Sequence, residues 1–164
     1  MKIAIMSDSH DNIWNLRKAL AIIKSEHCEM IIHCGDFVAP FMFIELKQAG
    51  IPVHCVFGNN DGDRYLLTRF AYESNGLIRL YNMIGELDLG SYKIGFTHEW
   101  PVAEGLATIG KYNMVCFGHS HQHHSDRIGA TIVLNPGEIM GKDGNPGFCV
   151  VDTDNQKITR IDIT

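Results

Sequence analysis

The chain has no Cys-x-x-Cys pair; Cys28, Cys34, Cys55, Cys116 and Cys149 are scattered and odd in number. That argues against a disulfide framework and a thiolate zinc site. The expectation is reduced, mostly buried thiols in a cytoplasmic protein. No apolar run approaches the roughly 20 residues that span a bilayer, so no membrane partner is expected. The N-terminus enters an apolar strand directly, without a basic region, apolar stretch and cleavage site, so no signal peptide is expected. There is no long Lys/Arg run, and the formal net charge is −5. Long nucleic acids are therefore disfavoured as partners, while nucleotides stay admissible and a homo-oligomer stays open. With 45% apolar and 20% charged residues, disorder is excluded. No repeat, low-complexity tract or linker divides the chain, so one domain over residues 1–164 is expected.

Ile3, Ala4, Ile5 and Met6 are apolar at consecutive positions, as in a strand covered on both faces. The run stops at Ser7, and Asp8-Ser9-His10 follows at once. In extended chain, positions i and i+2 share a face, which predicts that Asp8 and His10 converge beyond the strand's carboxyl end, where open α/β sheets place ligands. Leu16, Ala19, Leu20 and Ile23 form one helical stripe, and the spacing predicts a helix over 13–27. A second strand over 30–34 runs into Gly35-Asp36. After a short helix from Pro40 to about 49, a third strand over 52–57 runs into Gly58-Asn59-Asn60-Asp61. Strand, helix, strand in this order predicts parallel βαβ units.

Further on, a helix is expected over 63–72, strands over 77–80, 85–89 and 92–97, and a helix over 102–109. A strand over 114–117 leads into Gly118-His119-Ser120-His121. The remainder reads as strands over 130–134, 147–152 and 158–163, with Asn135-Pro136-Gly137 as a loop. A parallel half followed by an antiparallel half predicts two stacked sheets with helices outside.

The residues after the strand ends are Asp8, His10, Asp36, Asn59, His98, His119 and His121. All are oxygen or imidazole ligands. They are too many for one ion, and with a shared carboxylate they suit two. The donor set favours Mn²⁺, Fe²⁺, Co²⁺, Ni²⁺ or Zn²⁺ over Mg²⁺ or Ca²⁺, with Mn²⁺ first. Imidazole ligands must be neutral, so ion affinity is expected to fall below about pH 6.

Asp8-x-His10, Gly35-Asp36, Gly58-Asn59-x-Asp61, His98 and Gly118-His119-x-His121, in that order, resemble the motifs of calcineurin-like metallophosphoesterases. Chain length and the Asn-Pro-Gly loop resemble the small single-domain phosphodiesterases of that superfamily. The resemblance implies an α/β fold, a four-layer αββα sandwich of two mixed β-sheets flanked by helices. It implies Asp8, His10 and His121 on one metal, Asn59, His98 and His119 on the other, and Asp36 bridging. It further implies a phosphodiesterase acting on a small phosphodiester, with a metal-bridging hydroxide attacking phosphorus in line, and a catalytic cluster of Asp36, Asn59, Asn60 and Asp61.

Two positions depart from the family pattern. Asn60 stands where the family often has His, and an amide cannot protonate a leaving group near neutral pH. Glu99 stands where Gly often follows the His, as a partner to an imidazole or a restriction on anionic substrates. The alternative function is a noncatalytic interaction scaffold, as in the retromer subunit that resembles this fold. His27 reads as surface, and His33 and His54 read as packing residues. His123 and His124 read as a solvated loop before any proton-transfer role. Arg64 and Arg127 are candidates for phosphate contact or plain surface, and Trp14 and Trp100 for core or lid.

Overall fold

β1 (Lys2–Met6) is the strand around which the rest is laid, in a computed structural model describing residues 1–164. Its side chains alternate between two apolar layers. Ala4 and Met6 face the helices, whereas Ile3 and Ile5 face the second sheet, and all four are fully buried. This accounts for the unbroken apolar run. Truncating Ile5 to Ala would open a cavity in the middle layer and cost about 2–5 kcal/mol.

The chain continues through α1 (Ile13–Ser25), β2 (Met30–His33), α2 (Phe41–Lys47), β3 (Val53–Cys55), α3 (Arg64–Tyr72) and β4 (Ile78–Leu80). Asn12 caps α1 by accepting from the Asn15 N–H at 3.1 Å, and Leu16, Ala19 and Ile23 are its buried stripe. Asp63 caps α3 in the same way through the Leu66 N–H. Then follow β5 (Ile84–Asp88), β6 (Lys93–Thr97), α4 (Trp100–Thr108), β7 (Met114–Cys116), β8 (His123–Ile128), β9 (Thr131–Pro136), β10 (Gly147–Asp152) and β11 (Lys157–Asp162). Helix α4 starts two residues earlier than expected because Pro101 suits a first turn, where its missing N–H is not needed.

The first sheet runs β11-β10-β1-β2-β3-β4 and the second β5-β6-β7-β9-β8. Both are mixed. In the first, β1 to β4 are parallel and β10 and β11 are antiparallel; in the second, β6, β7 and β9 are parallel. Three apolar layers separate four structural layers. Leu16, Phe43 and Leu67 fill the space between helices α1 to α3 and the first sheet. Ile32, Ile94, Leu134 and Val151 fill the space between sheets. Ala103, Leu106 and Val115 fill the space under α4. This is the expected αββα sandwich.

Three expectations are corrected. The chain does not divide into a parallel first half and an antiparallel second half, because the β10–β11 hairpin returns to the first sheet, with Ile3 opposite Val151. Asn135-Pro136 ends strand β9 instead of forming a loop. His123 and His124 open strand β8 instead of lying in a loop, with His124 opposite Asn135.

All five cysteines are free and buried. Burial pushes the Cys28 thiol up to about 11 and Cys149 to about 12, so both are unreactive at neutral pH. No helix is long and apolar enough to cross a membrane.

Candidate metal centre

Beyond the carboxyl ends of β1, β2, β3, β6 and β7, the predicted ligands meet at one place. The route differs from the expected strand alternation. β1 ends at Met6, and Asp8 and His10 converge because both take left-handed backbone conformations, φ 53° and 38°. Asp36, His119 and His121 are left-handed too, at 60°, 68° and 61°. Such conformations are costly for non-glycine residues and persist only where surrounding structure enforces them. Here the loops enforce them on one another. Asp8 N–H donates to Gly35 O, and His10 N–H to Asp36 O, both at 3.1 Å. Two glycines permit the close approach: a Cβ on Gly58 would lie 2.1 Å from Asp36 Oδ1, and one on Gly118 would lie 2.0 Å from Ser7 Oγ.

Asp8 Oδ1 lies 3.8 Å from His10 Nε2 and 3.5 Å from His121 Nε2. Asn59 Oδ1 lies 2.9 Å from His98 Nε2 and 2.9 Å from His119 Nδ1. Between these two groups, Asp36 Oδ2 is 3.4 Å from His10 Nε2 and 3.4 Å from His98 Nε2. Asp36 is also held by Asn60, whose backbone N–H and Nδ2–H donate to its two oxygens at 2.8 Å each.

Asp8 Oδ1 and His10 Nε2 are buried polar atoms with no hydrogen-bond partner. A buried unpartnered polar group costs about 1–3 kcal/mol. Two that face the same ligand cluster fit a divalent ion. The tautomers fit as well. His98 Nδ1–H donates to Cys34 O at 2.8 Å, and His121 Nδ1 lies 2.9 Å from Glu138 Oε2. Each imidazole therefore keeps Nε2 free on the side facing the carboxylates.

The nearby carboxylates of Asp36, 3.4 Å away, and then Asp8 raise His10 to about 9 despite burial. In the ion-free chain a proton therefore competes with a metal on His10. Burial alone would push Asp36 up, but its contacts with His10 and His98 outweigh it and hold the carboxyl well below the usual range.

Asp61 was expected to act with residue 60 in catalysis. Its carboxylate instead accepts the backbone N–H groups of Asp36, Phe37, Val38 and Gly58, at 2.7–3.2 Å. It clamps two ligand-bearing loops together and is buried. Asn59 and Asn60 are exposed at the cluster's edge. Glu99 Oε2 lies 3.7 Å from His119 Nε2, which places it as a partner to that imidazole.

Glu138 is the residue the sequence reading missed. It is buried, touches His121, and accepts from the N–H groups of Asp143 and Gly144 with its other oxygen. The same segment donates Ile139 N–H to Ser7 O and Met140 N–H to Asp8 O. Its only sequence signal is a carboxylate directly after Asn-Pro-Gly.

His33, His54, His123 and His124 make contacts of their own in the fold. His33 is fully buried, accepts the Gly35 N–H at Nδ1 and donates from Nε2 to Ser9 Oγ; burial pushes it down to about 3. His54 pairs with Tyr81 Oη, and burial lowers it to about 4. His123 Nδ1–H donates to Asn135 O, and His124 packs near Trp100 and Phe117. Neither lines the clefts beside the ligands. Trp14 is 68% exposed, whereas Trp100 packs on Phe117. Arg127 bonds only locally, to Ala130 O.

The model of the calcineurin-like phosphoesterase superfamily domain matches residues 1–156. A phosphodiesterase of Methanocaldococcus jannaschii is 35% identical over 163 residues, covering 98% of each chain. A probable metallophosphoesterase of Bacillus subtilis, YsnB, is 29% identical over 143 residues, 85% of this chain and 75% of that one. A solved archaeal phosphodiesterase superposes with a TM-score of 0.92 at 33% identity over 99% of both chains. Vps29 of Entamoeba histolytica superposes at 0.69 with 16% identity, a likeness of fold alone.

Proposed function

The chain belongs to the calcineurin-like phosphoesterase superfamily and is a metal-dependent phosphoester hydrolase; from that premise we propose that it cleaves small phosphodiesters. We assign Asp8, His10 and His121 to one divalent ion, Asn59, His98 and His119 to a second, and Asp36 to both. Mn²⁺ is the assigned ion, with Ni²⁺, Fe²⁺, Co²⁺ and Zn²⁺ as the others this donor set admits. The observation that carries the reading is the place of Asp36 Oδ2, equidistant from His10 and His98 of the two groups. Likeness to the M. jannaschii phosphodiesterase over nearly the whole length supports a diester over a monoester.

Two divalent ions held by these residues would supply Lewis-acid activation of water and neutralisation of phosphoryl oxygens. The chain's own residues do the rest. His98 and His121 are oriented through Nδ1, and Asn60 holds the shared carboxylate through two N–H donors. Asn60 has no proton to give, and His123 and His124 lie outside the clefts, so the leaving oxygen departs without an imidazole acid from either place. We assign the whole of 1–164 to one metallophosphoesterase domain in the cytoplasm. Its substrates are small diesters, nucleotides included, and its net charge of −5 disfavours long nucleic acids. A likeness of fold to Vps29 gives the interaction-scaffold alternative no residue-level support.

The test is elemental analysis after Mn²⁺ loading and desalting, paired with turnover of bis-p-nitrophenyl phosphate. Wild type should retain two ions and hydrolyse the diester; Asp36→Ala should lose both ions and the activity. Wild type that retains no ion would overturn the assignment.

A further inference from the structure

Two separate clefts adjoin the ligand cluster, and Asp36 lines the larger. One, of about 430 Å³, is lined by His10, Asn60, His121, Met140 and Lys142 among others. The other, of about 220 Å³, starts at Asn59 and His98 and is walled by Phe57, Arg64, Met83 and Glu99. Complete small-molecule pockets run to about 300–1,000 Å³, so the smaller cleft suits one portion of a substrate. A phosphodiester has two ester arms to place and a monoester only one.

We propose that the smaller cleft seats a nucleoside arm of the diester, with its base stacked on Arg64; this rests on the phosphodiesterase reading above. The Arg64 guanidinium lies 4.7 Å over the Phe57 ring and donates from Nη2 to Gly58 O at 3.0 Å. It is thus held in place at Phe57 and Gly58, with the side chain otherwise exposed. Guanidinium groups stack on bases, and one held in advance loses little further freedom on binding. Met83, 58% exposed, adds a deformable apolar wall. Glu99 places a carboxylate beside this surface. It would accept an imide or amino N–H from a base edge and repel a second phosphate. The arm these groups select is flat, uncharged and bears an N–H donor, which describes a nucleoside and not a polyphosphate.

The test compares two diesters with the same leaving group, thymidine 5′-(p-nitrophenyl phosphate) and methyl p-nitrophenyl phosphate, on Mn²⁺-loaded protein. In both, water oxygen bonds to phosphorus as the bond to nitrophenolate breaks, and only the retained arm differs. Wild type should favour the thymidine ester at least tenfold in kcat/KM, mostly through KM. Arg64→Ala should cut that preference about tenfold, as loss of a base-stacking platform does. Arg64→Lys, which keeps the charge but not the plane, should cut it similarly. Calorimetric binding of thymidine 5′-phosphate to the loaded protein should weaken in the same order. If both esters turn over but wild type shows no preference, or the variants keep it, the nucleoside assignment falls and the diesterase reading stands. If neither diester turns over while p-nitrophenyl phosphate does, the diesterase reading itself falls and takes this proposal with it.

Discussion

Glu138 Oε2 lies 2.9 Å from His121 Nδ1, while Oε1 accepts the Asp143 and Gly144 N–H groups at 2.6 and 2.9 Å. One buried carboxylate therefore folds the 138–144 segment and, together with Asp143 Oδ2 at 3.3 Å from the same Nδ1, decides which nitrogen of His121 faces Asp8. An amide cannot do both, because its NH₂ would meet the N–H donors or the imidazole N–H.

Glu138→Gln should accordingly weaken one of the two metal sites about 10–100-fold and spare the other. A calorimetric Mn²⁺ titration should show two events in wild type, with only one displaced in the variant. Equal weakening of both would assign the residue to general stability.

Metal uptake should release a proton from His10. Its folded value of about 9 lies above the ordinary 6.5 because Asp36 and Asp8 favour the imidazolium. In the ion-free chain that stabilisation is full below about pH 6.5 and lost as pH rises through about 9, so the melting temperature of ion-free protein should decline across that interval. Ion affinity should climb through the same interval. Titrations at pH 7.5 in buffers of different ionisation enthalpy should count one released proton per chain or more, because Asp36 outweighs burial and raises His98 as well. A count of zero would contradict the raised His10.

Asn60 makes the rate sensitive to the leaving group. A nitrophenolate departs readily without a proton and an alkoxide does not, so rate should rise steeply as leaving-group pKa falls. General acid catalysis contributes about 10²–10⁴-fold, so Asn60→His should improve alkyl diesters by up to that factor and scarcely change aryl ones. The amide's second task, donating to Asp36 Oδ2 at 2.8 Å, is one an imidazole N–H can take over. A flat wild-type leaving-group series that steepens in His123→Ala/His124→Ala would return the acid to strand β8.

Asp61 should prove structural. Removing it strands four backbone N–H groups in a buried place, and Asp61→Ala should cost about 3 kcal/mol or more. Urea unfolding of ion-free protein measures that directly. Asp61→Asn keeps one acceptor oxygen and should fall between. A variant that unfolds like wild type yet has lost turnover would restore a catalytic role.

The metal-ligand candidates were readable because each stands just after an apolar strand, and β1 to β3 are buried on both faces and so spell out as unbroken runs. β8 was not readable: five of its six residues are exposed and carry no alternation, so only pairing with β9 makes them a strand. Glu138 escaped because its meaning lies in His121, 17 residues away, and in no local pattern. The convergence of Asp8 and His10 was foreseen for a reason that does not operate, since left-handed φ angles and not strand alternation bring them together. Which sheet the β10–β11 hairpin joins depends on a partner at the opposite end of the chain, and no local rule reaches that far.

That distant partnership has a temporal side. β1 carries the loop bearing Asp8 and His10, yet its flank stays open until Cys149 to Asp152 arrive to pair with Lys2 to Ile5. During synthesis the first strand leaves the ribosome long before its neighbour exists. The ion-holding end of the molecule must therefore be among the last parts to set. Until then β1 exposes an unpaired apolar edge of the kind that makes nascent chains sticky. Truncation at the β10–β11 hairpin should consequently do more than trim an edge: it would leave the founding strand permanently unfinished.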